Sequence, residues 1–493
     1  MPRLILSALL FIPAAHAGAP KPAATITALP QAAEWKRHFV RDILPFWETA
    51  AALGNPIGNF PTFRCNDGAV YNAQMPCAEF FAAPDWIRSA AGRQYTRMLS
   101  RQVFLYGVAF HLTGNPKYLL WAHAGVSYII DHAFDDKTGN VVSYWDGGEA
   151  VSDPSKQTSQ DVAYCLMGLS FYYYLTRDPQ VLTPILQIEH YIRAHFYDQK
   201  AGLYHEGLTG PEADRLDLVA QLDQANAYML LLTPLLPSAE QQRWREELSG
   251  IVQTIRSRFY DHTTGLFIGT FDRNAKPACV FQNVDTDFGH TIKTYWMLYF
   301  IGRLTHNTAL TNFAKTGAPG VLQWAYLPTT GSWATQPTCS TGPDNNKSTD
   351  LDRTSTWWMS AELDQAALTF GISNTALLSY IPKTFAFWLD HMVDRRYGEV
   401  WDELTVPEFT PRLPKVHLWK NGYHTAEHAM IGYIMTSAIR SQPVTLYYAF
   451  PNCKVPESVR PYYYDGRIAS HSETALAELP GFCRTEITFA DVH

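Results

Sequence analysis

The sequence repeats a short turn pattern at a nearly constant interval, and this periodicity limits the folds that the chain can adopt. The pattern, an aromatic residue followed by Asp-x-x-x-Gly, ends at Gly139, Gly202 and Gly265, and weaker copies end at Gly331 and Gly398. These glycines are spaced by 63, 63, 66 and 67 residues. A period this long and this regular indicates repeated supersecondary units.

Each unit has the same internal order. A long apolar helix, such as 162–175, is followed by the turn Leu175-Thr-Arg-Asp-Pro179, a second helix, the glycine turn and a short β-prone stretch. About six such units predict an all-α fold, an (α/α)6 toroid of helical hairpins. An open solenoid is the alternative, but short β-hairpins on one rim favour a closed ring, because such loops cover a central pocket.

The ends of the chain differ from the repeats. Arg3, an apolar run at 4–14 and the small residues Ala15 and Ala17 resemble an export signal, so we expect 1–17 to be a signal peptide and the protein to be periplasmic or secreted. The toroid is expected at 35–440. The β-prone, cysteine-bounded segment 441–493 is predicted to be a small C-terminal flap.

If the protein is exported, we expect its seven cysteines to form disulfides where their spacing permits, because the compartment is oxidising. Their positions in loops favour the pairs Cys65–Cys77, Cys279–Cys339 and Cys453–Cys483, although the sequence alone does not fix the connectivity. Cys165 lies in an apolar helix and is predicted to be a free, buried thiol.

Composition excludes several functions. The chain is 46% hydrophobic and 17% charged with a net charge of −7, so we expect neither a nucleic-acid partner nor a membrane partner for the mature protein. It has no Gly-rich phosphate loop, and we expect no cofactor and no metal. The oligomeric state is left open.

Four pieces of sequence carry a resemblance to a known family. They are Arg101 with the following Leu-Thr-Gly-Asn-Pro116, then Asp287-Phe-Gly-His290, Trp357-Trp358-x-x-x-Glu362, and Trp419-Lys420-x-x-Tyr423-His424. In this order and spacing, from about Trp86 to Ile439, the chain resembles the N-acylglucosamine 2-epimerase superfamily, which includes cellobiose 2-epimerases and mannose isomerases. The resemblance implies an (α/α)6 barrel acting on a mono- or oligosaccharide.

The resemblance also implies a mechanism. A base removes the proton from C2 of an opened reducing sugar, and an acid returns it to the other face or to C1. The family places this histidine pair at His290 and His424, and a cationic donor for the enediolate oxygen at Arg101. Capping by Thr286 or Asp285 would set His290 at a positive helix end, so we expect it to be a neutral base.

Three positions depart from the family pattern. Lys293 replaces a glutamate, Glu427 replaces an arginine, and Asn226 or Tyr228 stands where a pocket histidine is expected. A cation at position 293 should lower the pKa of His290 further or move a substrate contact. The residues that we expect to contact substrate are Lys293, Glu362, Trp358, Asn226, Tyr228, Trp419 and Lys420.

Other functions stay open at this point. His424-Thr-Ala-Glu427-His428 fits the inverted zinc-peptidase motif H-x-x-E-H, a pattern that arises easily by chance. Toroids also host glycosidases with paired carboxylates, polysaccharide lyases and non-catalytic binding proteins. Carboxylates available for a glycosidase are Asp285, Asp287, Glu362, Asp402 and Glu403.

Overall fold

The computed structural model describes residues 22–272, 277–339 and 350–493. The signal peptide predicted at 1–17 lies outside these residues. Among the described helices, none is both long enough and apolar enough to cross a membrane.

A closed ring of helices forms the body of the molecule. Within the described residues, twelve principal helices alternate between an outer layer (odd numbers) and an inner layer (even numbers), and the last inner helix packs against the first outer and first inner helices. The predicted (α/α)6 toroid is therefore confirmed, and the open solenoid is excluded. In chain order the helices are α1 (Ala32–His38), α2 (Thr96–Thr113), α3 (Pro116–Tyr128), α4 (Ser159–Thr176), α5 (Pro179–Phe196), α6 (Leu218–Gln224), α7 (Ser238–Arg258), α8 (Phe288–Leu304), α9 (Thr308–Ala325), α10 (Trp357–Gly371), α11 (Ile381–Phe387) and α12 (Tyr423–Ile439).

Several of these helices are extended by irregular turns. Phe39–Ile43 and Leu44–Trp47 lengthen α1, while π-helical turns at Ile129–Ala133, Ala225–Met229 and Trp388–Met392 follow α3, α6 and α11. The remaining short helical segments are Pro22–Ala28, Ala50–Leu53, Ala78–Ala82, Asp85–Arg88, Pro154–Lys156, Gly210–Ala213, Leu230–Leu232, Thr233–Leu235, Val280–Gln282 and Thr375–Ser379.

Sequence composition explains which helices lie inside. The inner helix α4 is apolar around its circumference and is buried along almost its entire length, as expected for a helix surrounded by others. The outer helix α7 buries only one stripe, which includes Trp244, Leu248, Ile251 and Ile255, at the spacing of one helix face. Each such large apolar side chain contributes roughly 1.5–3 kcal/mol when it is fully buried.

The repeated glycines have the conformation that the pattern predicts. All five adopt positive φ, between 67° at Gly202 and 83° at Gly398, a region that favours glycine. Each closes a small hairpin between an outer helix and the next inner helix, and the amide of Gly398 donates to the Asp394 carbonyl at 2.9 Å. The next amide, that of Glu399, donates to the carbonyl of Asp42 on the π-turn after α1, so this hairpin joins the last repeat to the first.

Short antiparallel strands lie between the helices. They are Gln94–Tyr95, Tyr144–Asp146, Glu149–Val151, Tyr197–Asp198, Leu203–Tyr204, Leu216–Asp217, Thr270–Phe271, Tyr326–Leu327, Ser332–Trp333, Gln336–Pro337, Leu351–Asp352, Ser355–Thr356 and Glu403–Leu404. They precede the inner helices, so they surround the end of the ring where those helices begin.

The C-terminal segment covers the opposite end. Strands Val444–Pro451, Phe482–Ala490 and Arg467–Ala475 form an antiparallel sheet in this spatial order. Between the first strand and the last two, Tyr462 and Tyr464 are buried and hydrogen-bond to Glu427 and Thr369 on inner helices. Tyr464 thus fastens the segment to the C-terminal half of α10, while Tyr462 reaches Glu427 in the N-terminal half of α12.

The cysteine predictions are confirmed. The Cα–Cα separations are 5.9 Å for Cys65–Cys77, 5.8 Å for Cys279–Cys339 and 5.0 Å for Cys453–Cys483, all within the normal disulfide range. Cys165 is free and buried.

Candidate functional site

The first turns of the inner helices surround a cavity of about 530 Å³. Arg101 from α2, His290 from α8 and His424 from α12 line this cavity together. These residues are far apart in sequence, and they meet because they occupy equivalent positions in their repeats.

His290 is held by a carboxylate. The N-cap of α8 is Asp287, not Thr286 or Asp285 as expected: its Oδ1 accepts the His290 amide and its Oδ2 lies 2.7 Å from His290 Nδ1. Burial opposes a charge on the ring and Lys293 opposes it too, but the carboxylates of Asp287 and Asp285 outweigh both and raise the pKa of His290 to about 9. The expected neutral His290 is therefore wrong, and the ring is an imidazolium at neutral pH.

The surroundings of His424 shift its pKa in the opposite direction. Burial, followed by the charges of Lys293 and Arg101, lowers the pKa of His424 well below its usual value. Its Nδ1 makes no hydrogen bond to any described residue and lies 3.7 Å from Glu362 Oε1. A neutral imidazole with an unpaired nitrogen can accept a proton.

Arg101 lies beside both histidines without a carboxylate partner in the described part of the chain. Its Nη1 donates to the Trp419 carbonyl at 2.8 Å. The guanidinium carbon lies 4.2 Å from the centre of the Tyr164 ring and 5.8 Å from that of Tyr423, a favourable cation–π arrangement. An arginine held in this way keeps its charge available for an anionic oxygen.

Lys293 belongs to a buried ionic network beneath the cavity. Its Nζ is 3.4 Å from Glu362 Oε1, while Glu362 Oε2 accepts the Trp296 indole N–H at 2.6 Å. Burial opposes the charge on Lys293, but Tyr164, Glu362, Asp223 and Glu427 raise its pKa.

Glu427 closes the network from α12. Burial and the charge of Glu362 raise the pKa of Glu427 to about 7, against hydrogen bonding by Tyr462 and the charge of Lys293. Tyr462 donates to Glu427 Oε1 at 2.6 Å. The two ionic departures from the family pattern, Lys293 and Glu427, therefore lie in one network.

Trp358 packs near both histidines. Its ring centre is 4.6 Å from that of His290 and 6.0 Å from that of His424. Gly289 permits this approach, because a Cβ there would lie 2.8 Å from the Trp358 ring.

Other aromatic residues form the wall and the mouth. Trp419 lines the cavity and stacks under Arg97, whose guanidinium carbon is 3.9 Å from the ring centre. Trp86 also lines the cavity but is 45% exposed, and we had not predicted it as a site residue.

Four predicted substrate contacts do not reach the cavity lining. Tyr228 is buried and donates to Gln224 at 2.8 Å, and Lys420 is paired with Glu399 at 3.0 Å and fully buried. Asn226 lies behind the wall, 3.5 Å from the Tyr164 hydroxyl, and Glu362 lies beneath His424. The irregular turn Ala225–Met229 shifts the helical phase here, which the repeat pattern did not reveal.

Carboxylates that we had not identified form one side of the cavity. Glu206, Asp217 and Asp223 line it together with Asp285. Burial is the main cause that raises their pKa values, to about 6 for Asp217 and about 7 for Asp223, and the charge of Asp285 adds to the effect at Asp217. Asp217 is the N-cap of α6 just as Asp287 is of α8, so the capping pattern was the signal available in the sequence.

The zinc-peptidase alternative is not supported by the geometry. His428 Nε2 lies 2.9 Å from Asp364 Oδ2, and its ring packs against Trp35 and Trp388. It joins none of the possible metal-ligand groups in the described residues. His424 does approach Glu362 and Glu427 closely enough for a shared ion, but Lys293 already supplies a cation there.

Comparison with known proteins agrees with this architecture. The family model of N-acylglucosamine 2-epimerase (GlcNAc 2-epimerase) matches residues 87–427. No curated protein matches the sequence.

Solved structures with this fold include three sugar-converting enzymes. Cellobiose 2-epimerase from Bacillus thermoamylovorans B4167 is 16% identical with a TM-score of 0.65, covering 82% of this chain and 98% of its own. The enzyme of the same name from Spirochaeta thermophila DSM 6192 is 20% identical with a TM-score of 0.64, covering 83% and 97%. A D-mannose isomerase is 15% identical with a TM-score of 0.62, covering 85% and 99%.

Proposed function

Since the chain belongs to the N-acylglucosamine 2-epimerase family, we propose that it is a sugar epimerase or aldose–ketose isomerase that moves a proton at C2 of a reducing sugar. The observation that carries this proposal is that His290 and His424 line one cavity with pKa values shifted in opposite directions. A two-sided proton transfer needs one group that accepts and one that donates.

In this mechanism His424 is the base. Its neutral ring takes the proton from C2 of the open-chain sugar, and the electron pair of the broken C–H bond moves toward the carbonyl at C1. The resulting enediolate carries negative charge on oxygen. Arg101 and the ammonium of Lys293 lie beside His424 and stabilise that charge.

His290 is the acid. As an imidazolium held by Asp287, it returns a proton to the opposite face of C2, which gives the epimer, or to C1, which gives the ketose once the O2 proton has passed to O1. Solvent then restores both histidines to their starting states. Trp358 packs near both rings and supplies a flat surface against which a sugar can stack.

The test is an incubation with reducing mono- and disaccharides in D₂O. Deuterium at C2 of recovered substrate and epimer, or at C1 of a ketose product, lost in a His424→Gln variant, is the expected result. New reducing ends without deuterium exchange would contradict the proposal.

A second candidate, glycoside hydrolysis, is favoured by one observation. Burial, together with the charges of Asp217, Asp223 and Asp161, raises the pKa of Glu206 well above its usual value, and a cavity-lining carboxyl group with a raised pKa could act as a general acid. Release of new reducing ends that is lost in Glu206→Gln would favour hydrolysis over proton transfer.

We also propose that the protein is exported. The three disulfides support this, because such bonds persist in oxidising compartments. Localisation of the full chain with and without residues 1–17, and mass analysis of the mature N-terminus, tests the proposal, for which a start near Gly18 is expected.

A further inference from the structure

Three carboxylates on one side of the cavity, Glu206, Asp217 and Asp285, form what we call the acidic wall. All three line the cavity, and within the described residues none has a lysine, arginine or histidine nitrogen within 4.0 Å. They come from three different places in the chain, namely a hairpin end, a helix N-cap and a loop. Their convergence on one space therefore comes from the tertiary fold.

The partners that these carboxylates do have are neutral. Glu206 accepts from the Ser159 hydroxyl at 3.1 Å. Asp217 accepts from the Val219 amide at 2.8 Å and the Thr270 hydroxyl at 3.2 Å. Such bonds orient a carboxyl group but supply no positive charge; the His290 imidazolium acts on Asp217 and Asp285 only through space.

A separate observation points to a missing ligand. Asp223 lies beside the acidic wall on α6, is 1% exposed and lines the same cavity, yet its Oδ2 has no hydrogen-bond partner among the described residues. A buried, unpaired carboxylate oxygen is costly unless something binds to it. Lys293 and Arg101 influence Asp223 through space without an ion pair, and the Tyr164 hydroxyl interacts with its carboxyl group as well.

The cavity is therefore divided by charge. The cations Arg101 and Lys293 act on His424, whereas the acidic wall lies on the side of His290, which acts on Asp217 and Asp285. From this division we infer that the sugar that fits this site carries a free, protonated amino group, which the acidic wall and Asp223 bind while the reducing end reaches His424. The inference rests on the proposed function for the placement of the reducing end.

The ammonium of an amino sugar meets the requirements of this wall. It offers three N–H donors and one positive charge, so it can satisfy Asp223 Oδ2 and offset the repulsion between the carboxylates. A hydroxyl offers one donor and no charge. An N-acylated amine also loses the charge, so the wall distinguishes a free amine from its acetylated form.

The experiment compares three disaccharides with the same linkage: cellobiose, the disaccharide of glucosamine, and N,N′-diacetylchitobiose. Calorimetric binding is measured with a His424→Gln variant so that turnover does not interfere, at about pH 6.5, where a sugar amine carries its proton. We expect the glucosamine disaccharide to bind at least about tenfold more tightly than the other two, since one charge-assisted contact is worth about 1.5–3 kcal/mol.

Two variants test whether the acidic wall causes the preference for the amine. Asp217→Asn should remove most of the preference for the amine, whereas Glu246→Gln, which removes an equivalent charge from the exposed face of α7, should leave it unchanged. Equal binding of the three sugars, or a preference that survives Asp217→Asn, would overturn the inference. Binding of Ca²⁺ alone that is lost in Asp285→Asn would also overturn it, because the wall would then be a metal site.

Failure of this inference is distinguishable from failure of the proposed function. Deuterium exchange into cellobiose with no amine preference leaves the epimerase proposal intact and removes the inference. Tight binding of the amino sugar that depends on the acidic wall, without exchange at C2, supports the inference and removes the epimerase proposal.

Discussion

Asp287 makes two interactions with His290: its Oδ1 accepts the His290 amide at the helix N-cap, and its Oδ2 lies 2.7 Å from Nδ1 of the His290 ring. A single carboxylate thus fixes the position of the ring and its charge.

Asp287→Asn should lower the pKa of His290 while preserving the fold. Asparagine still caps the helix, but the loss of the negative charge should lower that pKa from about 9 by roughly 1–3 pH units. NMR titration of the labelled histidine measures the change, and Asp285→Asn, which removes a charge without a hydrogen bond to the ring, should have a smaller effect. An unchanged pKa would show that Asp287 does not set the charge.

The same shift predicts how stability depends on pH. Because the folded pKa of about 9 exceeds the ordinary 6.5, the stabilisation from charged His290 is complete below about pH 6.5 and is lost as pH rises through 9. Wild-type protein should therefore lose more stability across this interval than Asp287→Asn. Denaturant unfolding at several pH values measures the difference, and parallel curves would contradict the prediction.

His424→Gln and His428→Gln should affect different properties, although the two residues lie one helical turn apart. The first should lower C2 exchange by about 10²–10⁴-fold with little change in stability. The second removes the buried imidazole partner of Asp364 Oδ2, whereas Trp333 and Thr384 still donate to Oδ1, and should lower stability by about 1–3 kcal/mol. Exchange rates and thermal unfolding of both variants test this, and a reversed pattern would place the base at His428.

Lys293 and Glu427 should show energetic coupling. The family pattern has an acid at the first position and an arginine at the second, so the charges here are reversed between the same two helices. Lys293→Glu alone would place a third carboxylate beside Glu362 and should cost about 3–5 kcal/mol.

Adding Glu427→Arg should recover part of that loss, with a coupling energy of about 1–3 kcal/mol. Denaturant unfolding of both single variants and the double variant measures the coupling. Strictly additive effects would mean that the two residues do not share one network.

Breaking the Cys453–Cys483 bond should loosen the C-terminal segment. The bond joins residues 30 positions apart, a separation for which the loss of a disulfide costs about 3–4 kcal/mol. Thermal unfolding of Cys453→Ser measures the cost, with Cys165→Ser as a control for removing a thiol that forms no disulfide. Equal melting temperatures for wild type and Cys453→Ser would contradict the prediction.

The repeat was the most informative part of the sequence. A constant period together with glycine turns was sufficient to predict the ring, because each unit must pack on its neighbours in the same way. Equivalent positions in the repeats also brought Arg101, His290 and His424 to one cavity. Local periodicity could not reveal the irregular turn after α6, which displaces Asn226 and Tyr228 from the lining.

The charge of His290 could not be predicted from its helix alone. The helix end disfavours an imidazolium, but two carboxylates reverse this preference, and their effect depends on distances that only the folded loop sets. Asp285 adopts a φ of 58°, an uncommon conformation for a residue other than glycine. Asp285 of the acidic wall was among the carboxylates that the sequence offered, but Glu206 and Asp217 were not recognised, because they lie outside the four pieces of sequence that carry the family resemblance.

The tyrosines of the C-terminal segment determine where other molecules can enter and leave the ring. Among the described residues, Tyr462, Tyr463 and Tyr464 fill the far end of the ring, so the toroid is a cup and not a tunnel. A polymer cannot thread through it, and only a chain terminus can reach the base of the cup. Product must leave by the opening through which substrate entered, so a new substrate can bind only after the previous product has left.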